Sequence, residues 1–381
     1  MTRIYLIRHG EAEGNIFRRA QGRYEGEITA KGLRQIAALA ERFRNVRIDA
    51  LYSSDLRRTL CTAGAITKYH DLPLQREPRL REVDLGPWED QPFGDLMYAE
   101  PEQMWAFNDD PARWTVEGAE RFADLQDRME AVVRELGARH DGETIACVSH
   151  GLAIRSLLSR ILDIPSAEIH RVPHGDNTAV SLLELEDGKL RVVFMNDASH
   201  LSPETSTFAR QTWWQGKGKV DLNNVRFQRL DPLREADRYV DFYRKTWLAV
   251  HGDLKDFDPN VYLAAAIRHA RANPDAVVTV LRQDGEAVGI TELDTERCAD
   301  EGAGWICLCY IEEPYRRCQL GVQLLGHAVS VFRRLGRRSI RLCVYEGNTG
   351  AIAFYEEYGF RVIGDTPGIS TRLLVMEKEI G

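Results

Sequence analysis

Short apolar runs alternate with stretches of helical period from the start of the chain to about residue 201. Ile4 to Ile7, Ala50 to Tyr52, Ile145 to Val148, Val180 to Leu185 and Arg191 to Met195 predict strands. Leu33, Ile36, Ala37, Ala40 and Phe43 follow the cap candidate Thr29 on one helical face, and Phe122, Leu125, Met129, Val132 and Leu136 line another. This alternation predicts an α/β fold, a three-layer α/β/α sandwich. From Gln91 to Glu117 the pattern turns irregular, acidic and aromatic, with Tyr98, Trp105, Phe107 and Trp114, which predicts a lid over a site or a surface insertion.

Periodicity breaks over Ser202 to Asn224 at Pro203, Gly216 and Gly218. We therefore expect a first domain at 1–203, a linker at 204–223, in which Trp213 and Trp214 predict a docked segment, and a second domain at 224–381. The second half carries its own α/β pattern. Helices are predicted near Leu233 to Trp247, Gly321 to Leu335 and Thr349 to Tyr358. Strands are predicted at Val277 to Leu281, Ala287 to Leu293, Trp305 to Ile311, Ile340 to Tyr345 and Arg372 to Glu379.

Composition narrows the function. A chain of 381 residues is long for one core. Its net charge of -8 argues against nucleic acid as a partner, because binding a phosphate backbone needs clustered cations. No apolar run approaches the membrane-spanning length of about 20 residues, and the chain enters a strand without a leader pattern, so a soluble, cytoplasmic protein with no membrane partner is expected. The seven cysteines form no C-x-x-C and read as reduced core thiols, with Cys307 and Cys309 spaced for one face of a strand.

Arg8-His9-Gly10 follows the first apolar run and Ser149-His150-Gly151 follows Thr144 to Val148. Both histidines are thus expected at strand ends, where open α/β sheets bind ligands. A cationic Arg-His pair with a second histidine predicts a phosphate site and phosphoryl transfer through histidine. A nucleophilic histidine must be neutral, and adjacent positive charge such as Arg8 favours that form. Arg58, one helical turn past a strand end, suits bidentate phosphate binding. Glu82, in the apolar, glycine-punctuated run from Leu80 to Glu89, is a candidate general acid for an alkoxide leaving group. His170 and His174 have metal-like spacing, but Pro173 opposes a helix and no third ligand is apparent, so an exposed loop is expected.

Several motifs occur in order: Leu6-Ile7-Arg8-His9-Gly10-Glu11 with Asn15, Gln21-Gly22, Ile28-Thr29-x-x-Gly32-x-x-Gln35, Ser53 to Arg58, and Glu82 with Gly86 and Trp88-Glu89. They continue with Gly118-Ala119-Glu120, Ser149-His150-Gly151, Asn177-Thr178 and Asn196-Asp197-x-x-His200-Leu201. In these residues Met1 to Leu201 resembles the histidine phosphatase, or phosphoglycerate-mutase-like, superfamily. The resemblance implies His9 as the phosphorylated nucleophile and Arg8, Arg58 and His150 as the phosphate pocket. It also implies Glu82 as proton donor and later water activator, with Asn15, Gln21, Gly22 and Gly151 bordering the substrate and no metal required. The short turn after Glu82 favours a phosphatase for a small phosphorylated metabolite over a mutase, and the tail motif resembles the small-metabolite branch that includes alpha-ribazole phosphatases.

In the second half, Arg316-Arg317-Cys318-Gln319-Leu320-Gly321 follows a predicted strand and opens an amphipathic helix, whose first amides are suited to a pyrophosphate. Asn348-x-x-Ala351-x-x-Phe354-Tyr355-x-x-x-Gly359-Phe360 sets an amide side chain at a helix start and a phenol, Tyr355, within the helix, where it could protonate a departing thiolate. These residues resemble GNAT-type N-acetyltransferases from about Val225 to Ile380. The resemblance implies an α+β domain with a central mixed sheet that transfers acetyl from acetyl-CoA to an amine acceptor. Acetyl-CoA would be held by Arg316, by the amides of Arg317, Cys318, Gln319, Leu320, Gly321 and Val322, and by the edge at Tyr310 and Ile311, with Asn348 and Tyr355 near its sulfur. Gln319 stands where the family usually has glycine, and a side chain there crowds a pyrophosphate if φ is positive. Glu292, Glu301 and Glu312 are candidates for the base. The expectation is a bifunctional enzyme. Its alternatives are a phosphatase whose second domain is an acyl-CoA sensor or interaction module, and a mutase; a homodimer is compatible with each.

Overall fold

The computed structural model describes residues 1–211, 224–368 and 372–381; Trp213 and Trp214 lie outside them. The described residues form two compact units. One holds residues up to 91 and from 99 to 211, the other residues 92–98 and those from 224 on.

In chain order the first half runs β1 (Thr2–Arg8), α1 (Glu13–Phe17), α2 (Ala30–Phe43), β2 (Ala50–Ser53), α3 (Arg57–Thr67) and β3 (Leu74–Arg76). It continues with α4 (Phe93–Ala99), α5 (Pro101–Asp109), α6 (Phe122–Arg139), β4 (Thr144–Ser149), α7 (Gly151–Ile161), β5 (Val180–Glu186) and β6 (Lys189–Asp197). The strands lie in the order β3-β2-β4-β1-β5-β6, with β1 parallel to β4 and antiparallel to β5. Thr29 does cap α2, its hydroxyl accepting the Gly32 N–H at 2.9 Å. Alternation along β1 buries it on both faces. Ile7 packs with Leu39, Phe43 and Ile66 of α2 and α3, while Ile4 meets α6 at Gly137, where an added methyl would lie 2.9 Å from the Ile4 side chain. The sandwich therefore has its three layers.

Residues 91–117 are not irregular: they form α4, α5 and a short 3-10 turn, because Trp88, Phe107 and Trp114 build a small aromatic core with ring centroids 5.2–5.8 Å apart. Tyr98 and Trp105 are exposed. The segment 205–211 is fastened to the first unit. The Thr205 carbonyl accepts from Gln35 at 2.7 Å, the Thr207 hydroxyl donates to Glu11 at 2.8 Å, and Gln211 donates to the Asn15 carbonyl at 3.1 Å.

The second half runs β7 (Arg226–Arg229), α8 (Ala236–His251), α9 (Pro259–Ala272), β8 (Val277–Leu281), β9 (Ala287–Asp294), β10 (Ala303–Ile311) and α10 (Gly321–Arg334). It ends with β11 (Ser339–Tyr345), α11 (Thr349–Glu357), β12 (Arg361–Pro367) and β13 (Arg372–Glu379). The strand order is β12-β13-β11-β10-β9-β8-β7, with β10 and β11 parallel and the other pairs antiparallel. The helix expected from Leu233 begins at Ala236, leaving Leu233 exposed. No helix among the described residues is long and apolar enough to cross a membrane.

Leu6, fully buried in the middle of β1, pairs with Cys147 and Ser181 on its two neighbours. Leu6→Ala should cost roughly 2–5 kcal/mol, read as a lower urea midpoint for the first unit's unfolding. An unchanged midpoint would remove β1 from the centre of that core.

Candidate active sites

Pairing of Arg8 with Ser149 ends β1 and β4 at one level, so His9 and His150 leave the sheet side by side, ring centroids 5.3 Å apart. His9 Nδ1 lies 2.7 Å from the Gly10 carbonyl, which requires the proton on Nδ1 and leaves the Nε2 lone pair for bonding. Burial, then Arg58 and Arg8, lowers its basicity well below the ordinary imidazole value; burial and Arg58 do the same to His150. Ser54 Oγ fixes His150 Nε2 at 2.9 Å. Each guanidinium is tied to carbonyls, Arg8 to Gly175 and Arg58 to Gly22 at 2.6 Å and Tyr24 at 3.2 Å. Yet Arg8 Nε, Arg58 Nε and His150 Nδ1 are buried without a hydrogen-bond partner among the described residues. Buried polar groups are normally paired, and the two guanidinium donors left in this state suit an oxyanion.

Glu82 is not in apolar surroundings. Its carboxylate accepts the N–H of Val83 at 3.0 Å and, at the first turn of α7, those of Leu152 at 3.0 Å and Ala153 at 2.8 Å. The helix start thereby sets the carboxyl next to His150 in the chain's path. Asn15 frames the loop: its Oδ1 accepts from Ala12 N at 2.9 Å and from Asn177 Nδ2 at 3.2 Å. The amide atoms of Gln21 are buried without partners among the described residues, wedged where a Cβ on Gly14 or Gly26 would meet them at 2.4 Å. Gly22 has no room for a side chain, with the Val83 carbonyl 2.4 Å from where its Cβ would be, and a Cβ at Gly151 would press on Arg8 Nε at 3.3 Å. His174 is half-buried with Nε2 3.1 Å from Arg155, while His170 is exposed but sits in a 3-10 turn over Ser166–Arg171, so the expected exposed loop holds in full for neither.

Sequence reasoning passed over Glu89, whose carboxylate collects the N–H groups of Gly22, Arg23, Tyr24 and Leu85 at 2.7–3.2 Å. It also passed over Ser54 and over Asn177, which donates to the His9 carbonyl at 3.1 Å. All three stand inside the motifs, but no spacing rule separates a residue that braces a loop from its neighbours.

In the second unit β10 and β11 pair from Ala303/Ser339 to Ile306/Leu342 and then part, although both strands continue. At the parting β10 carries a bulge between Ile306 and Leu308. The bulge breaks the alternation expected for the two cysteines. Cys309 packs with Leu320 and Leu324, whereas Cys307 Sγ lies within 4.8 Å of ligand atoms of His269 and Asp294, so the thiols face opposite sides of the sheet.

After β10, Arg316 Nε donates to the Ile311 carbonyl at 3.0 Å, and Arg317 and Gln319 take φ of +62° and +61°. Left-handed non-glycine residues cost roughly 1–2 kcal/mol each, and the shape turns successive amides toward one side ahead of Gly321, the first residue of α10. Cys318 is exposed and the Leu320, Val322 and Ile311 side chains are buried, so what these residues offer is backbone. Tyr310 packs on Phe242 and donates to Glu312 at 3.2 Å. Asn348 caps α11, accepting from Ala351 N at 3.1 Å. Tyr355 hydrogen-bonds the Cys309 thiol, and burial raises its pKa well above the ordinary phenol value. The parted strands, the amide-lined turn and the half-buried phenol fit a thioester of CoA. Of the three carboxylates weighed as bases, Glu301 pairs with Arg341 and Glu312 with Lys245, while Glu292 is buried with its oxygens 2.7 Å from Tyr239 Oη and from His269 Nδ1.

The sequence model of the histidine phosphatase superfamily (branch 1) matches residues 4–198, and that of the acetyltransferase (GNAT) family residues 237–360. Phosphoserine phosphatase 1 of Hydrogenobacter thermophilus is 27% identical over 201 residues, 53% of this chain and 95% of that protein. Probable phosphoglycerate mutase GpmB of Proteus mirabilis is 35% identical over 166 residues, 44% of this chain and 77% of that one. The solved structure of YhfR from Bacillus stearothermophilus is similar with a TM-score of 0.52 at 32% identity, covering 53% of this chain and all of that one. With His9, His150, Arg8 and Arg58 gathered at one sheet edge, the chain belongs to the histidine phosphatase superfamily (branch 1) and carries a GNAT-family domain behind it.

Proposed function

We propose that the first unit hydrolyses a small phosphomonoester through a phosphohistidine on His9, and that the second transfers acetyl from acetyl-CoA to an amine. The observation that carries the first reading is the neutral His9 imidazole, its Nε2 free to attack, beside Arg8 and Arg58, whose buried Nε donors have no partner among the described residues. Arg8, Arg58 and His150 bind the transferring phosphoryl group, and Glu82 gives a proton to the leaving alkoxide and then takes one from the attacking water. Gln21, Gly22, Asn15 and Gly151 shape the rim. The two relatives described above, a phosphoserine phosphatase and a probable phosphoglycerate mutase, support a small phosphorylated metabolite as substrate.

When bound, acetyl-CoA supplies an activated acetyl group. Tyr355 holds the proton that the sulfur needs, and the turn from Arg316 to Gly321 holds the pyrophosphate. Non-glycine Gln319 at positive φ favours a second reading, in which this unit senses acyl-CoA without consuming it.

Phosphate release from a panel of phosphorylated metabolites should vanish in His9→Ala. An isomerised phosphate without release would mean a mutase. Because burial and two arginines keep His9 neutral well below the ordinary histidine value, the rate should persist as pH falls through about 6.5; an acid limb there that follows His9 would contradict this protonation state. Tyr355→Phe should slow acetyl transfer roughly 10²-fold or more, measured as CoA thiol release. Acetyl-CoA that alters phosphatase rate without being consumed would favour the sensor.

A further inference from the structure

The acetyl-transfer reading leaves the acceptor's proton without a destination. Glu301 and Glu312 are both paired with cations, Arg341 and Lys245. A different group stands by the bulge where β10 and β11 part. On the α8/α9 face, Asp294 pairs across with Trp305 and Glu292 with Leu308, one on each side of the bulge at Cys307. Between their carboxylates sits His269 of α9. Its Nδ1 lies 2.7 Å from Glu292 Oε1 and its Nε2 3.1 Å from Asp294 Oδ2. Glu292 is fixed in turn by Tyr239, and Asp294 by the N–H groups of Glu296 and Arg297 on its other oxygen. His269 and Glu292 are buried, while the Asp294 side chain is 15% exposed and is the row's open end.

We propose that His269, oriented by Glu292 and reached through Asp294, is the general base that deprotonates the acceptor, and that the acceptor is a primary ammonium drawn to this acidic opening. The inference rests on the acetyltransferase reading above. Tyr355, bonded to Cys309, serves the sulfur from the α10 face, so base and acid address the gap between β10 and β11 from opposite sides of the sheet.

The row can titrate in place. With Nδ1–H on Glu292, a protonated Nε2 donates to Asp294, and a neutral one accepts from the Arg268 guanidinium at 3.3 Å. The ammonium R–NH3⁺ gives one proton through Asp294 to His269 Nε2, and the lone pair released forms the C–N bond to the acetyl carbon. As the C–S bond breaks, the sulfur pair takes the Tyr355 proton, and the second nitrogen proton restores the phenol. One proton then leaves His269 for solvent. The charged groups acting on His269 are Glu292, Asp294 and Arg268; the phenols of Tyr239 and Tyr243 act on Glu292, and the Cys307 thiol beside His269 also meets Arg297. Burial opposes its charge, but the Glu292 hydrogen bond and the two carboxylates outweigh burial and Arg268, so its pKa is raised. A base must be deprotonated to act, so the rate rises with pH through this raised value.

The test uses the full chain. Ring NMR titration without any ligand should give His269 a pKa above the ordinary value, moved down in Asp294→Asn, and the acid limb of kcat/KM for acetylation of amino acids, aminosugars and polyamines should move with it. His269→Gln should lose roughly 10²–10⁴-fold in kcat while acetyl-CoA affinity by calorimetry stays unchanged. Wild-type transfer that survives His269→Gln, or an acid limb unmoved in Asp294→Asn, overturns the base and leaves the acetyltransferase standing. A rate abolished by excess EDTA would make His269, Asp294 and Cys307 metal ligands and likewise overturn it. Wild type that neither binds acetyl-CoA nor acetylates any amine would instead defeat the reading on which the inference rests, while a His269 ring that titrates at or below the ordinary value overturns the inference directly.

Discussion

The first unit depends on holding two guanidiniums, Arg58 fully buried and Arg8 half-buried, largely away from water. Removing such charges from solvent costs several kcal/mol apiece unless partners replace the water. Arg58, fully buried, is met by the carbonyls of Gly22 and Tyr24, and those carbonyls are aimed by Glu89, which gathers the amides of the same loop. Arg8 is met by Gly175 and shielded by a residue without a side chain at Gly151. On each arginine the buried Nε has no partner among the described residues, and the same positive field that awaits an anion keeps both histidines uncharged. Binding and nucleophile activation are thus two effects of one buried charge.

The second unit solves a different problem with backbone. A parallel pair of strands that separates exposes unpaired amides and carbonyls in the middle of a sheet, and an extra residue at Cys307 turns the chain so that both faces are served at that level. The turn after β10 reaches its left-handed shape without glycine, at Arg317 and Gln319. Backbone strain of that kind is sustained only where surrounding structure over-determines it; here the Arg316 side chain clamps to Ile311 and Leu320 is anchored in the core.

Much of this is legible in the sequence. The ends of β1 and β4 follow from two apolar runs, each closed by a histidine, and Thr29 reads as a cap and is one. What escaped has physical reasons. β7 and β12 are short, largely polar or exposed edge strands, and α9 mixes alanine with histidine and arginine, so neither period rises above its background. The two cysteines of β10 were assigned one face because spacing assumes unbroken alternation, which a bulge cancels. The surroundings of Glu82 were misjudged because composition reports side chains, and its partners are amides of a helix start that lies some seventy residues on. Within the acetyltransferase half, His269 carried no motif; the row it forms with Glu292 and Asp294 exists only once α9 is laid on β9.

The stretch from Thr205 to Gln211 ties itself to Glu11, Gln35 and Asn15, residues that flank His9 on the loop and helix beyond β1. The portable module is therefore longer than its sheet. A chain cut just past β6 would keep the phosphate loop and lose the strap that braces it.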